Sequence, residues 1–149
     1  MGRSNARGII EYSGKYLLVR QRSSDDGVFW CLPGGGIEDG EDIISTLERE
    51  FIEELGVRPT VGNLLFAHQI KDRDGYSGVG FYFHVTNGED YVNLDIPSTS
   101  HGKLELLEAK FVDIEQVHAL PDFLKTELPK LASQGFTAPT RIMLTENEE

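Results

Sequence analysis

Between Glu41 and Leu55 the chain runs without a glycine or a proline, and Ile44, Leu47, Phe51 and Leu55 recur at helical spacing until Gly56 offers a left-handed stop. The pattern predicts a helix over residues 42–55 with one apolar stripe turned to a core. The same helix sets Glu50, Glu53 and Glu54 at i, i+3 and i+4, so three carboxylates project from one face beside that stripe. Like charges that close repel. A helix carries such a face when it is simply solvated, the commoner case, or when hard cations such as Mg²⁺ or Mn²⁺ bridge the oxygens. Just ahead, Pro33-Gly34-Gly35-Gly36 reads as a loop, and its glycines let the backbone approach a metal or a phosphate closely. Alone it is an ordinary turn. Its fixed distance from the acids is what points to chemistry.

Short strands surround this unit. Residues 8–12 and 16–21 flank the turn Ser13-Gly14 as a hairpin, 28–32 lead into the glycines, 61–70 and 79–85 flank a polar turn over 71–78, and 104–112 hold a further strand. Residues 114–119 and 122–131 read as helical, with Pro121 opening the second helix and Pro129 ending it early. Residues 87–101 read as loop, and the ends, 1–6 and 145–149, as flexible. With no internal repeat and no linker, residues 1–149 read as a single layered domain of the α+β or α/β class.

A chain of 149 residues buries a core without disulfides, and Cys31, its one cysteine, forms no internal disulfide, which suits a reducing compartment. No apolar run nears the roughly 20 residues that span a bilayer, and the first six residues hold no secretion-signal stretch, so a cytoplasmic location is expected. A net charge of -11 disfavours a nucleic-acid duplex or an anionic membrane as partner. It would repel a polyphosphate too, unless divalent cations occupy a carboxylate cluster, and the acids are indeed focused.

From Gly35 to Val57 the chain resembles the Nudix box: Gly35, five residues, Glu41, seven residues, then Arg49-Glu50-Phe51-Ile52-Glu53-Glu54-Leu55-Gly56-Val57. The family pattern is G-x5-E-x7-R-E-U-x-E-E-x-G-U, with U a bulky aliphatic residue. Every fixed polar and glycine position is met, and the aromatic Phe51 departs only in core packing. Trp30-Cys31-Leu32-Pro33-Gly34 resembles the family's lead-in. The resemblance implies an α/β/α sandwich around a mixed β-sheet. It also implies hydrolysis of the pyrophosphate link of a nucleoside diphosphate derivative by water attack at phosphorus, with Mg²⁺ or Mn²⁺ as cofactor. On the matching positions, Glu53 and Glu54 would be the main metal ligands, helped by Glu50 and the Gly34 carbonyl. Glu41 would orient the loop, and Arg49 would fix the carboxylates. Glu50 or an acid from a later loop would take the water's proton.

Outside the box, Glu108 resembles a glutamate that many members carry before their last core strand, an extra ligand or base set against an ordinary surface acid; Glu105 is a weaker choice. Arg20 and Arg22 are candidates for substrate phosphates, or serve solubility at a strand end. Tyr76, Phe81, Tyr82 and Phe83 offer one stacking partner for a base and otherwise read as core. His68 and His84 read as satisfied or exposed rather than as ligands, and Cys31 as a buried small hydrophobe. The accessory marks of ADP-ribose and dinucleoside polyphosphate hydrolases are missing, since their places hold Asp72 and Arg73-Asp74. A (d)NTP or a nucleotide sugar remains as the small-molecule substrate, acted on by a monomer or homodimer. The alternatives are a catalytically silent nucleotide-binding module, against which the intact acid set speaks, and a structural acidic helix.

Overall fold

In a computed structural model of the protein, residues 3–22, 27–94 and 106–146 are described. In chain order they form β1 (Asn5–Ile9), β2 (Glu11–Tyr12), β3 (Lys15–Arg22), β4 (Val28–Cys31), β5 (Gly34–Gly36), α1 (Ile43–Leu55), β6 (Val61–Asp72), β7 (Gly75–Tyr76) and β8 (Gly80–Val85). A 3₁₀ turn (Gly88–Tyr91), β9 (Leu106–Val112), β10 (Ala119–Leu120), α2 (Phe123–Ser133) and β11 (Arg141–Glu146) follow.

Two mixed sheets result. The first runs β11-β6-β8-β1-β5, with β7 on β6, and the second runs β10-β4-β3-β2, with β9 on β3. β1 lies parallel to β8 and antiparallel to β5, while β3 is antiparallel to both β4 and β9. The period-2 alternation of strands sends successive residues to opposite faces. Leu17 and Val19 of β3 meet Leu47, Phe51 and Leu55 of α1 in one core. Tyr16 and Leu18 meet Leu124, Leu128 and Leu131 of α2 in the other. A strand covered on both faces must be continuously apolar, which is why residues 16–19 do not alternate. Each of those leucines, fully buried, contributes roughly 1.5–3 kcal/mol by its burial. The result is an α/β fold with a helix on either side of the sheets.

Several expectations need correction. The glycine loop is the short strand β5, paired antiparallel to β1 through Asn5↔Gly36, Ala6↔Gly35 and Arg7↔Gly34. The first expected strand is two, parted at Ile10 and belonging to different sheets. Residues 114–119 are turns ending in β10, because Asp113 draws in the Glu115 and Gln116 amides at 3.1 and 3.0 Å. Pro129 lies inside α2, where the buried Leu128 and Leu131 carry the helix past it. Ile44 is exposed, outside the stripe that Leu47, Phe51 and Leu55 form. At the ends, Asn5 and Ala6 belong to β1, and Thr145 and Glu146 belong to β11, which pairs parallel to β6. Residues 95–105, with the candidate Glu105, lie outside the described residues. No helix among the described residues is long and apolar enough to cross a membrane.

Candidate active site

Helix α1 is fixed at both ends by its own sequence. At its start Asp42 accepts the Ser45 amide and hydroxyl, each at 2.8 Å, bonds that lower its carboxyl pKa. At its end Gly56 takes φ 76° and returns its N–H to Phe51 and Ile52. Leu47, Phe51 and Leu55 then press the helix onto β1 and β5. This contact brings the acidic face against the glycines. A Cβ at Gly35 would sit 2.4 Å from the Glu50 carboxyl carbon, and the Gly34 amide donates to Glu54 Oε2 at 3.2 Å. Glu50 and Glu54 are therefore buried, 5% and 2% exposed, and only Glu53 retains appreciable exposure. The sequence had suggested acids at a wet helix edge; docking on β5 covers two of the three.

Arg49 holds the cluster. Its guanidinium donates to Glu41 from Nε at 2.7 Å and from Nη2 at 3.0 Å, to Glu50 at 2.9 Å, to Glu53 at 3.3 Å and to the Gly36 carbonyl at 3.1 Å. Planar forked geometry suits arginine to this role, where lysine would offer a point charge. Hydrogen bonds from Arg49, then from Thr46 at 2.7 Å, pull the Glu41 carboxyl down to about 2. In return the bonds to Glu41, then to Glu50, raise the Arg49 pKa further.

The acids form one side of a cleft of about 370 Å³, whose other lining residues include Arg3, Arg7 and Gln21. Arg7 donates to the Leu32 carbonyl at 2.8 Å. Burial works against its charge, but Cys31, Tyr82, Glu54 and Glu50 outweigh that, and its pKa is raised. Among the described residues no three acidic, His or Cys groups are drawn together as a ready ligand shell. The donor set nonetheless suits a hard divalent cation: three carboxylates at i, i+3 and i+4, oxygen throughout, with Glu50 packed so closely on Gly35 that a Cβ there would meet its carboxylate. Arg3, Arg7 and Gln21 escaped the sequence reading. The available signal was Arg7 itself, a lone charge in the apolar run 6–10.

Glu108 is not a lining residue of this cleft. It lies on β9, opposite Arg20 of β3, and pairs with Arg20 at 3.2 Å and with Lys110 at 3.4 Å. Lys110 in turn stands 5.6 Å over the Trp30 ring. Arg20 is thus committed to Glu108, Arg22 ends β3 exposed, and Tyr76 sits on the β6–β7 hairpin; none lines the cleft. His68 has both ring nitrogens bonded, to Tyr82 at 2.9 Å and Thr145 at 2.8 Å, and burial lowers its pKa. His84 stacks on Phe136, and Cys31 is buried, its thiol pKa pushed up by that burial.

A family model described as NUDIX domain matches residues 2–133. Over 85 residues the chain is 39% identical to an ADP-ribose pyrophosphatase of Methanocaldococcus jannaschii, covering 55% of this chain and 50% of that protein. Over 53 residues it is 51% identical to the nucleoside triphosphatase NudI of Enterobacter sp. (strain 638), covering 34% and 37%. The matched regions thus span half or less of those relatives' lengths. Among solved structures, the E. coli ORF135 protein superposes with a TM-score of 0.69 at 24% identity, covering 91% of this chain and 94% of that one, a likeness of fold.

Proposed function

The chain belongs to the NUDIX domain family, and from that premise we propose that it cleaves the pyrophosphate bond of a nucleoside diphosphate derivative, a (d)NTP or a nucleotide sugar, by water attack at phosphorus. One observation carries the reading: a single cleft has Glu50, Glu53 and Glu54 among its lining together with the cationic Arg3 and Arg7. Carboxylates suit cations and guanidinium groups suit phosphate oxygens, so together they accommodate a metal-bound polyphosphate on a chain of net charge -11. Mg²⁺ or Mn²⁺, when bound, supplies charge neutralisation at the phosphoryl oxygens and acidifies a water. Glu53 and Glu54 would hold it, with Glu50 and the Gly34 carbonyl. Glu50, in its pocket beside Gly35, accepts the proton of the attacking water. Arg49 and Glu41 keep those carboxylates in register, and Arg3 and Arg7 bind the phosphates. The names of the two relatives, a pyrophosphatase of ADP-ribose and a nucleoside triphosphatase, support a nucleotide substrate.

The test is a panel of nucleoside triphosphates and nucleotide sugars with Mg²⁺ or Mn²⁺, assayed for released phosphate or pyrophosphate in ¹⁸O-labelled water. Label is expected in a phosphate product. Absence of turnover across the panel, with nucleotides still raising the melting temperature, would replace this reading with the silent binding module.

A further inference from the structure

The family pattern fixes Glu41 and Arg49 and leaves the residues between them open. One of those open positions, Thr46, is polar and fully buried. It stands one helical turn before Arg49 and Glu50 and two before Glu53, on the face of α1 that carries them, yet it is not a lining residue of the cleft. Its hydroxyl lies 2.7 Å from Glu41 Oε1 and 3.0 Å from the Asp42 carbonyl. A hydroxyl has a single proton to give, and the shorter contact, to a charged oxygen, takes it. Bonding back to the preceding turn is ordinary for a threonine inside a helix. The bond to Glu41 is the addition.

That bond reaches the carboxylates through Arg49. Glu41 accepts Arg49 Nε on Oε2 at 2.7 Å and Nη2 on Oε1 at 3.0 Å, a fork that makes the two planar groups share one orientation. The same orientation aims Nη1 at Glu50, 2.9 Å away, and at Glu53, 3.3 Å away. Glu41 and Arg49 are both long, rotamer-rich side chains, so a fork between them needs a fixed point. The Glu38 amide meets Glu41 Oε1 at 3.2 Å from the turn ahead of the helix, whereas Thr46, buried and stiff at χ1, ties the same oxygen to the helix itself. We propose that Thr46 is a positioning residue: its hydroxyl holds Glu41 and, through the Glu41–Arg49 fork, sets the Glu50 and Glu53 carboxylates that receive the divalent cation. The inference rests on the metal-dependent hydrolase reading above and adds to it a residue that touches neither metal nor substrate.

The experiment compares Thr46→Ala with Thr46→Ser, a pair that differs by the hydroxyl alone. Two quantities are measured: kcat and KM on the best substrate at saturating Mn²⁺, and the Mn²⁺ dissociation constant without substrate, from the EPR signal of the free ion. Thr46→Ala should lower kcat by about fivefold, the worth of one hydrogen bond, weaken Mn²⁺ binding by a like factor and leave KM within about twofold. Thr46→Ser should stay close to wild type in all three. A threonine that only packs the helix would act whether or not Glu41 is present. In a Glu41→Ala background, therefore, Thr46→Ala should change neither kcat nor Mn²⁺ binding by more than about twofold. Melting curves verify that each variant folds, and Thr46→Val, which keeps the volume, stands in if the smaller side chains loosen the core. Thr46→Ala equal to wild type, Thr46→Ser as impaired as Thr46→Ala, or an undiminished loss in the Glu41→Ala background overturns the role of Thr46 and leaves the hydrolase reading standing. Mn²⁺ binding weakened as stated, on a protein that turns over no nucleotide, keeps Thr46 and removes the hydrolysis. Neither Mn²⁺ binding nor turnover in the wild type removes both.

Discussion

Adding one methyl group at Gly35 tests whether the glycine strand and the acidic helix work as a fitted pair. The backbone at Gly35 is not in the left-handed region, so alanine meets no conformational penalty there, and the effect is one of contact alone. The new Cβ would stand 2.4 Å from Glu50 Cδ and 2.6 Å from each carboxylate oxygen. Carbon atoms rest at about 3.5–4.0 Å, so the carboxyl group must retreat by about 1 Å. It cannot retreat freely, being buried and bonded to Arg49 at 2.9 Å. Overpacking of this kind costs about 1–3 kcal/mol, equivalent to a melting temperature lower by about 2–4 °C per kcal/mol for a chain of this size. A misplacement of about 1 Å in a positioned group costs on the order of 10²-fold in rate. Steady-state kcat/KM on the best substrate and a thermal melt read the two effects separately. Wild-type kcat/KM in Gly35→Ala would refute the fitted contact between β5 and Glu50 as a requirement for turnover.

Glu53→Gln should lower kcat at least ~10²-fold, with a melting temperature close to wild type, because it removes a ligand charge from a partly exposed side chain; a mutant that melts far below wild type without metal would make Glu53 structural. Glu108→Gln should leave kcat within about twofold, since the ion pairs it loses, to Arg20 and Lys110, are part-exposed and of a kind worth about 0–1 kcal/mol, and a tenfold loss would return Glu108 to the site. Excess chelator should abolish turnover and added Mn²⁺ should raise the melting temperature, while metal-independent turnover would sink the all-oxygen ligand set. Because Glu41 titrates at about 2 in the fold against an ordinary 4.5, its stabilising contribution is whole above 4.5 and vanishes as pH falls to 2; urea unfolding over that window should be steeper for wild type than for Glu41→Gln.

Helix α1 was legible because every signal for it is local: an apolar period, Asp42 three residues before the Ser45 amide it caps, and Gly56 at the stop. The carboxylate cluster was legible for the same reason, since helical spacing alone groups Glu50, Glu53 and Glu54. Their burial was not, because it depends on β5, a strand of three glycines with no side-chain pattern to announce it. β11 escaped likewise. Its Ile142 and Leu144 face solvent, and its place is decided by parallel pairing to β6, 75 residues earlier in the chain. The cation lining of the cleft was hidden by strand alternation. Arg7 stands between Ala6 and Gly8, both turned toward α1, and only the register of β1 against β5 sets it opposite Gly34. Glu108 shows the converse. Alternation rightly parted it and Lys110 from Ala109 and Phe111, but the face they share is that of Arg20, across β3.

The position of Arg49 bears on how cations come and go. Its guanidinium spans Glu41, Glu50 and Glu53, so part of their charge is offset by a cation that the helix itself carries. On the proposed reading, a divalent ion entering the cleft would share these carboxylates with the Arg49 guanidinium, which already tempers their mutual repulsion. Loading and unloading would then be a change of ionic partner for Glu50, whose buried carboxylate keeps the Arg49 guanidinium at 2.9 Å when no metal is bound.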